Sequence, residues 1–142
     1  MDHSTWRWLP ASLALFLLAP AIACAHGALA IGITGDIAKG GYSLGINVNS
    51  QTPEKAREQA LNWCQTHGGP LTKPKCKVIS TFQHQCAAEA EDPQAGTPGA
   101  GWAVGATKED AEKIAMSNCV AAAGKARQKF CKVTASLCDT TP

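Results

Sequence analysis

Two stretches of the chain carry cysteines in the same frame. "NWC" (62–64) is followed by "CKV" (76–78) and "SNC" (117–119) by "CKV" (131–133), with eleven residues between the cysteines of each pair. A cysteine pair repeated at one spacing restricts the fold more than local propensity does, because a disulfide needs Cα atoms about 4.4–6.8 Å apart. Aligned on these triplets, "AREQALNWC" (56–64) falls on "AEKIAMSNC" (111–119). With a five-residue slip "GGYSLG" (40–45) meets "AGWAVG" (100–105), matching Tyr42 to Trp102 and Gly45 to Gly105. A third cysteine follows in each copy: Cys86 after nine residues and Cys138 after six. The pattern reads as an internal duplication, with copy one at 40–87, a linker at 88–99 and copy two at 100–142.

Each copy predicts strand, helix, strand. Thr52 is an N-cap and Pro53 suits the first helical turn, where its missing N–H costs nothing. Ala56, Ala60, Trp63 and Cys64 share one face, and Gly68-Gly69 ends the helix. Thr107 caps the second helix with Asp110 three residues on; Ala111, Ala115 and Cys119 form its face, and Gly124 ends it. The segments "CKVISTFQHQC" and "FCKVTASLC" have β character, with Val78, Ser80 and Phe82 on one side. "GALAIGIT" pairs with "GYSLGINV" as a hairpin across Gly35-Asp36 and Gly40-Gly41. The expected order is β-βαβ-βαβ, an α+β domain with two helices packed on one sheet. The Pro-, Gly- and acid-rich "AEAEDPQAGTPGAG" (88–101) is the expected surface loop between the copies.

The start of the chain reads as a secretory signal over residues 1–25, followed by a single cysteine-rich domain at 26–142. "ASLALFLLAPAIACA" (11–25) is apolar and closes on small residues, so cleavage after Ala25 leaves His26 as the amino terminus. Two rival readings are a lipoprotein processed at Cys24, against which Ala21 stands where a leucine is usual, and an uncleaved anchor, against which Pro10, Pro20, His26 and Gly27 interrupt the run. Cleavage leaves the net charge at +2, because Arg7 and Asp2 leave together, and so small a charge predicts no affinity for nucleic acid.

Of the seven cysteines, processing leaves six, an even number that in an exported chain predicts disulfides. Cys64–Cys76 and Cys119–Cys131 each join a helix end to the following strand. Cys86 and Cys138, as the matching third members, would tie the two halves together. In a simple ferredoxin-like sheet those two strands lie at opposite edges, so either the sheet order differs or that bridge is wrong. No zinc-type cysteine spacing is present. His84 and His67 lie near cysteines but have no counterparts in the second copy, so His67 reads as a helix-end residue and His84 as a solvent-facing strand residue. The sequence suggests no catalytic residue, metal ligand or cofactor.

"HGALAIG", the cysteine closing an Ala-rich helix, "CKV", and "QCAAEA" followed by "GWAVGAT" resemble a small secreted bacterial family known as domain of unknown function 4189, over Gly27 to Cys138. The resemblance implies export, to the periplasm or cell exterior, and a cysteine-stapled fold. It supplies no catalytic residues.

One surface feature repeats. Lys73, Lys75 and Lys77 surround Cys76, and Lys125, Arg127, Lys129 and Lys132 surround Cys131, a patch suited to an anionic partner such as an envelope polymer or an acidic protein cleft. The alternative is a set of solvated loops offset by Glu89, Glu91 and Asp92. The expected function is a non-enzymatic binding module, such as an inhibitor or immunity protein for a toxin or wall hydrolase. The alternatives are a structural envelope protein and a small secreted hydrolase.

Overall fold

The computed structural model describes residues 25–139, so the readings of the leader and of Cys24 lie outside the described residues. Strand β1 (His26–Ile33) pairs antiparallel with β2 (Tyr42–Ser50), and the short helix α1 (Ile37–Gly40) sits in the turn between them. Helix α2 (Pro53–His67) starts where the Thr52 hydroxyl accepts the Lys55 amide at 3.2 Å. A 3-10 turn at Lys73–Lys75 leads into β3 (Lys77–Phe82), which returns antiparallel beside β1. Then come β4 (Cys86–Glu91), β5 (Ala100–Gly105), α3 (Lys108–Ala123), a 3-10 turn at Gln128–Phe130 and β6 (Lys132–Cys138). Thr107 caps α3 by accepting the Asp110 amide at 3.1 Å.

The strands form two three-stranded antiparallel sheets, ordered β2-β1-β3 and β5-β4-β6, rather than the one sheet expected. The difference lies in "CAAEAE". The sequence reading placed it at the end of copy one and in the linker, but it is the central strand of the second sheet, bonded to β5 on one side and β6 on the other. Alternating alanine and glutamate gives a strand with one small apolar face and one polar face. Only residues 92–99 are left as connection.

Each sheet covers a helix on one face and meets the other sheet with its second face. Ala28 and Ala30 pack on Ala56, Ala60 and Cys64 of α2, while Ala88, Ala90 and Ala103 pack on Ala111, Ala115 and Cys119 of α3. The alternate residues Leu29, Leu44, Ile46, Val48 and Phe82 meet Ala87, Trp102 and Val104 across the seam between the sheets. Trp63 is not part of the buried face of α2: it is 53 % exposed. A bulge explains a second departure. Ala30 pairs with Val78 but Leu29 with Ser80, so Ile79 is the extra residue and Phe82 turns into the seam, away from Val78's side.

The helix–sheet layers are closed by contact between backbones. A Cβ on Gly45 would collide with the Ala60 carbonyl and lie 2.8 Å from the Cys64 amide; one on Gly101 would collide with the Ala115 carbonyl and the Cys119 amide. Gly101 thus occupies the place that Gly45 occupies, whereas Gly105 lies under the start of α3 against Ala111. The five-residue slip that matched Gly45 to Gly105 and Tyr42 to Trp102 therefore differs by four residues from the match of the helix contacts, Gly45 to Gly101. Cys64–Cys76 and Cys119–Cys131 are bonded, each with Cα atoms 6.0 Å apart. Closing a loop of this length removes unfolded-state freedom worth about 3 kcal/mol. Cys86 is bonded to Cys138, its ladder neighbour on β6, so this bridge closes the second sheet instead of tying the halves together. The conflict over sheet edges disappears because β4 and β6 are adjacent.

The joint between the halves is made by a residue the sequence reading passed over. Asp139, buried directly after Cys138, accepts the backbone amides of Asn49 and His84, each at 3.1 Å. Those two are the described non-glycine residues with positive φ, at 61° and 53°. One carboxylate thereby satisfies two amides that left-handed backbone would otherwise leave without a ladder partner.

The close helix contacts predict that Gly45→Ala and Gly101→Ala each destabilise the protein by about 1–3 kcal/mol, as overpacking does. Gly69→Ala, where an added Cβ meets nothing within 4 Å, should stay within about 0.5 kcal/mol of wild type. Urea midpoints check this; equal midpoints for all three variants would contradict it.

Candidate functional site

The alternation of β4 turns Glu89 and Glu91 away from α3 and into the seam. Tyr42, the first residue of β2, reaches across from the other sheet, and its hydroxyl lies 2.6 Å from Glu89 Oε1 and 2.9 Å from Glu91 Oε2. The Tyr42 ring stacks on Trp102 with centroids 6.0 Å apart. A phenol has one proton to donate, so the two carboxylates share a single donor.

Burial and like charge push both Glu89 and Tyr42 upward. Burial pushes the Glu89 carboxyl up, the Tyr42 hydrogen bond draws it down, the charge of Glu91 pushes it up again, and Thr134 draws it down; the net direction is up. Burial, followed by the two carboxylates, holds the Tyr42 phenol far above its ordinary range, so it remains a donor. Ion pairs among the described residues join Lys39 to Asp36, Lys108 to Glu112 and Arg127 to Asp92, and none reaches Glu89 or Glu91.

Two clefts open on either side of this cluster. One, of about 380 Å³, is lined by Leu44 and Ile46 of β2, Ala135 and Leu137 of β6, Trp63 of α2 and Glu89 of β4. Both β2 and β6 are outer strands of their sheets, so the cleft lies at an open side of the seam. The other, of about 350 Å³, lies between α1 and the 92–99 connection, with Tyr42, Glu91 and Asp92 in its lining.

The cationic residues singled out in the sequence fare differently. Arg127 is a structural cation: its Nε and Nη2 each donate to the buried Asp92 carboxylate at 2.6 Å, and its guanidinium lies 4.2 Å from the Phe130 ring centroid. Arg127's hydrogen bonds hold Asp92 below the usual carboxylate range, and Asp92's bond raises Arg127 in turn. Lys129 stands over the same ring at 5.1 Å. Lys73, Lys75, Lys77, Lys125, Lys129 and Lys132 are exposed. They fall in two sets, one after each long helix, and no hydrogen bond or ion pair among the described residues links one set to the other. His67 stacks on Trp63 at 3.8 Å. His84 lies in the turn between β3 and β4, not on a strand, and its amide donates to Asp139. All six cysteines of 26–142 are in bridges.

Tyr42, Glu89 and Glu91 are the residues the sequence reading missed as a site. The signal lies in the two-residue spacing of the glutamates, which in sequence shares the composition of a loop. No helix of the described residues is long and apolar enough to cross a membrane.

The model of the family described as Domain of unknown function (DUF4189) matches residues 26–138. No curated protein matches the chain. Among solved structures it is similar to the "NMR structure of Rv1813c from Mycobacterium tuberculosis", at 20 % identity over 97 % of this chain and 93 % of that one, with a TM-score of 0.45.

A carboxyl raised in the folded state contributes stability below its unfolded value, and that contribution is lost as pH rises through the folded value. Glu89→Gln keeps an acceptor for Tyr42 but cannot ionise. It should melt level with wild type at about pH 4 and above it at about pH 8, as read by thermal unfolding at both values. An offset that is the same at the two pH values would contradict the assignment.

Proposed function

The chain belongs to the DUF4189 family, and from the seam between its sheets we propose that it is an exported, non-enzymatic binding module that holds a protein partner in the cleft beside Trp63. The observation that carries this reading is an apolar cleft with exposed aromatic and aliphatic walls, Trp63 at 53 % and Leu137 at 42 %, opening onto an uncompensated carboxylate. Large apolar side chains held in contact with water at a concave site are what a partner's side chain covers. Three bridges and the backbone contacts at Gly45 and Gly101 make the walls rigid, so little ordering entropy opposes association.

Export is supported by the leader-like segment and by the pairing of all six remaining cysteines. The copied unit in this reading is ββαβ, at 26–82 and 86–138, with β1 and β4 as counterparts. The inhibitor or immunity role for a toxin or wall hydrolase is the form of partner binding that suits so rigid a domain. The hydrolase alternative is disfavoured because the Tyr42 hydroxyl stands between the two carboxylates, in the place a substrate or water would need.

Immobilised mature protein should retain a stoichiometric partner from envelope extracts. Trp63→Ala and Leu137→Arg, with melting unchanged, should each lower that affinity at least about tenfold, or about 1.4 kcal/mol. A partner held equally well by both variants would move the site away from this cleft, and an empty wild-type column would favour a structural envelope role.

A further inference from the structure

Two half-buried glutamates share one phenol, and the cations of the described ion pairs are all engaged elsewhere. Carboxylates withdrawn from water are normally matched by a cation or by several donors. Here the hydroxyl of Tyr42 serves both, Thr134 adds a neutral donor at Glu89 but no charge, and Glu89 lines the cleft. Resting on the binding-module reading, we propose that the cleft takes an arginine side chain of the partner protein, whose guanidinium meets Glu89 and supplies the cation this seam lacks.

The shape of the cleft fits that choice. Leu44, Ile46 and Leu137 offer apolar surface to the three methylenes of the stem, which gain by leaving water while the charged head stays solvated or paired. The half-exposed indole of Trp63, one face of which stacks on His67, is an aromatic partner for a planar cation in the cleft lining. A guanidinium is less strongly hydrated than an ammonium and presents a fork of donors, so it loses less than lysine on entering a partly dry site that ends in a carboxylate. The volume of about 380 Å³ exceeds one arginine side chain and leaves room for the residues that flank it. The positive net charge of the chain does not oppose this, because no lysine or arginine lines the cleft.

The test uses two blocked tripeptides, Ala-Arg-Ala and Ala-citrulline-Ala, which match in shape and differ in charge. Each is titrated into the oxidised protein while the amide signals of β2 and β6 are followed by NMR. The arginine peptide should bind at least about tenfold tighter than the citrulline peptide and shift Leu44, Ile46 and Leu137. Glu89→Gln should erase the preference, and Leu137→Ala should weaken both peptides while keeping it. Equal binding of the two peptides to wild type, binding of neither, or a preference that persists in Glu89→Gln would each overturn the assignment. The wild-type comparison decides even if Glu89→Gln does not fold. Should partner capture depend on Trp63 and Leu137 while the two peptides bind alike, the binding-module reading stands and the arginine assignment falls.

Discussion

Everything in this molecule is arranged around helices lying so close to their sheets that backbone touches backbone. At Gly45 and Gly101 no side chain fits between strand and helix. That one spacing explains why the buried helix positions are alanine and cysteine, and why Cys64 and Cys119 can reach Cys76 and Cys131. It has a cost in burial. Alanine removes little apolar surface from water, so these layers gain less from the hydrophobic effect than a leucine-rich core would. The two helix–strand bridges offset that shortfall by restricting the unfolded chain.

The larger apolar side chains are therefore found between the sheets, where Leu29, Phe82 and Trp102 meet. The same seam holds Tyr42, Glu89 and Glu91 and is closed at one end by Asp139. Polar groups in so small a core are costly unless satisfied. Asp139, at the end of the second half, is satisfied by backbone amides of β2 and of the turn between β3 and β4, and so acts as a joint. Glu89 and Glu91 share the Tyr42 hydroxyl and have no ion-pair partner among the described residues, which sets them apart from Asp139.

Much of the secondary structure was legible because its signals are local. Thr52, Pro53 and Gly68 bound α2, and Thr107 and Gly124 bound α3, through caps that act within a few residues. The cysteine spacing of twelve was legible for the same reason. What was hidden depends on distant contacts. Whether six strands make one sheet or two is decided by long-range pairing, and "CAAEAE" next to "DPQAGTPG" has the composition of a loop until β5 and β6 bond to it. Arg127 looked like a surface cation because Asp92 lies 35 residues away, and Asp139 looked unremarkable because Asn49 lies 90 residues away. The candidate site fell in the same blind spot, since Tyr42 and the glutamates are brought together only when the sheets stack.

Glu89 stands in the seam without a cation among the described ion pairs. The direct measurement is the titration of Glu89 followed by the 13C shift of its side-chain carboxyl in the free protein. The account predicts a midpoint above the ordinary glutamate range. A midpoint within or below that range would mean that a compensating charge is already present, and the seam would then be structure, not a receptor.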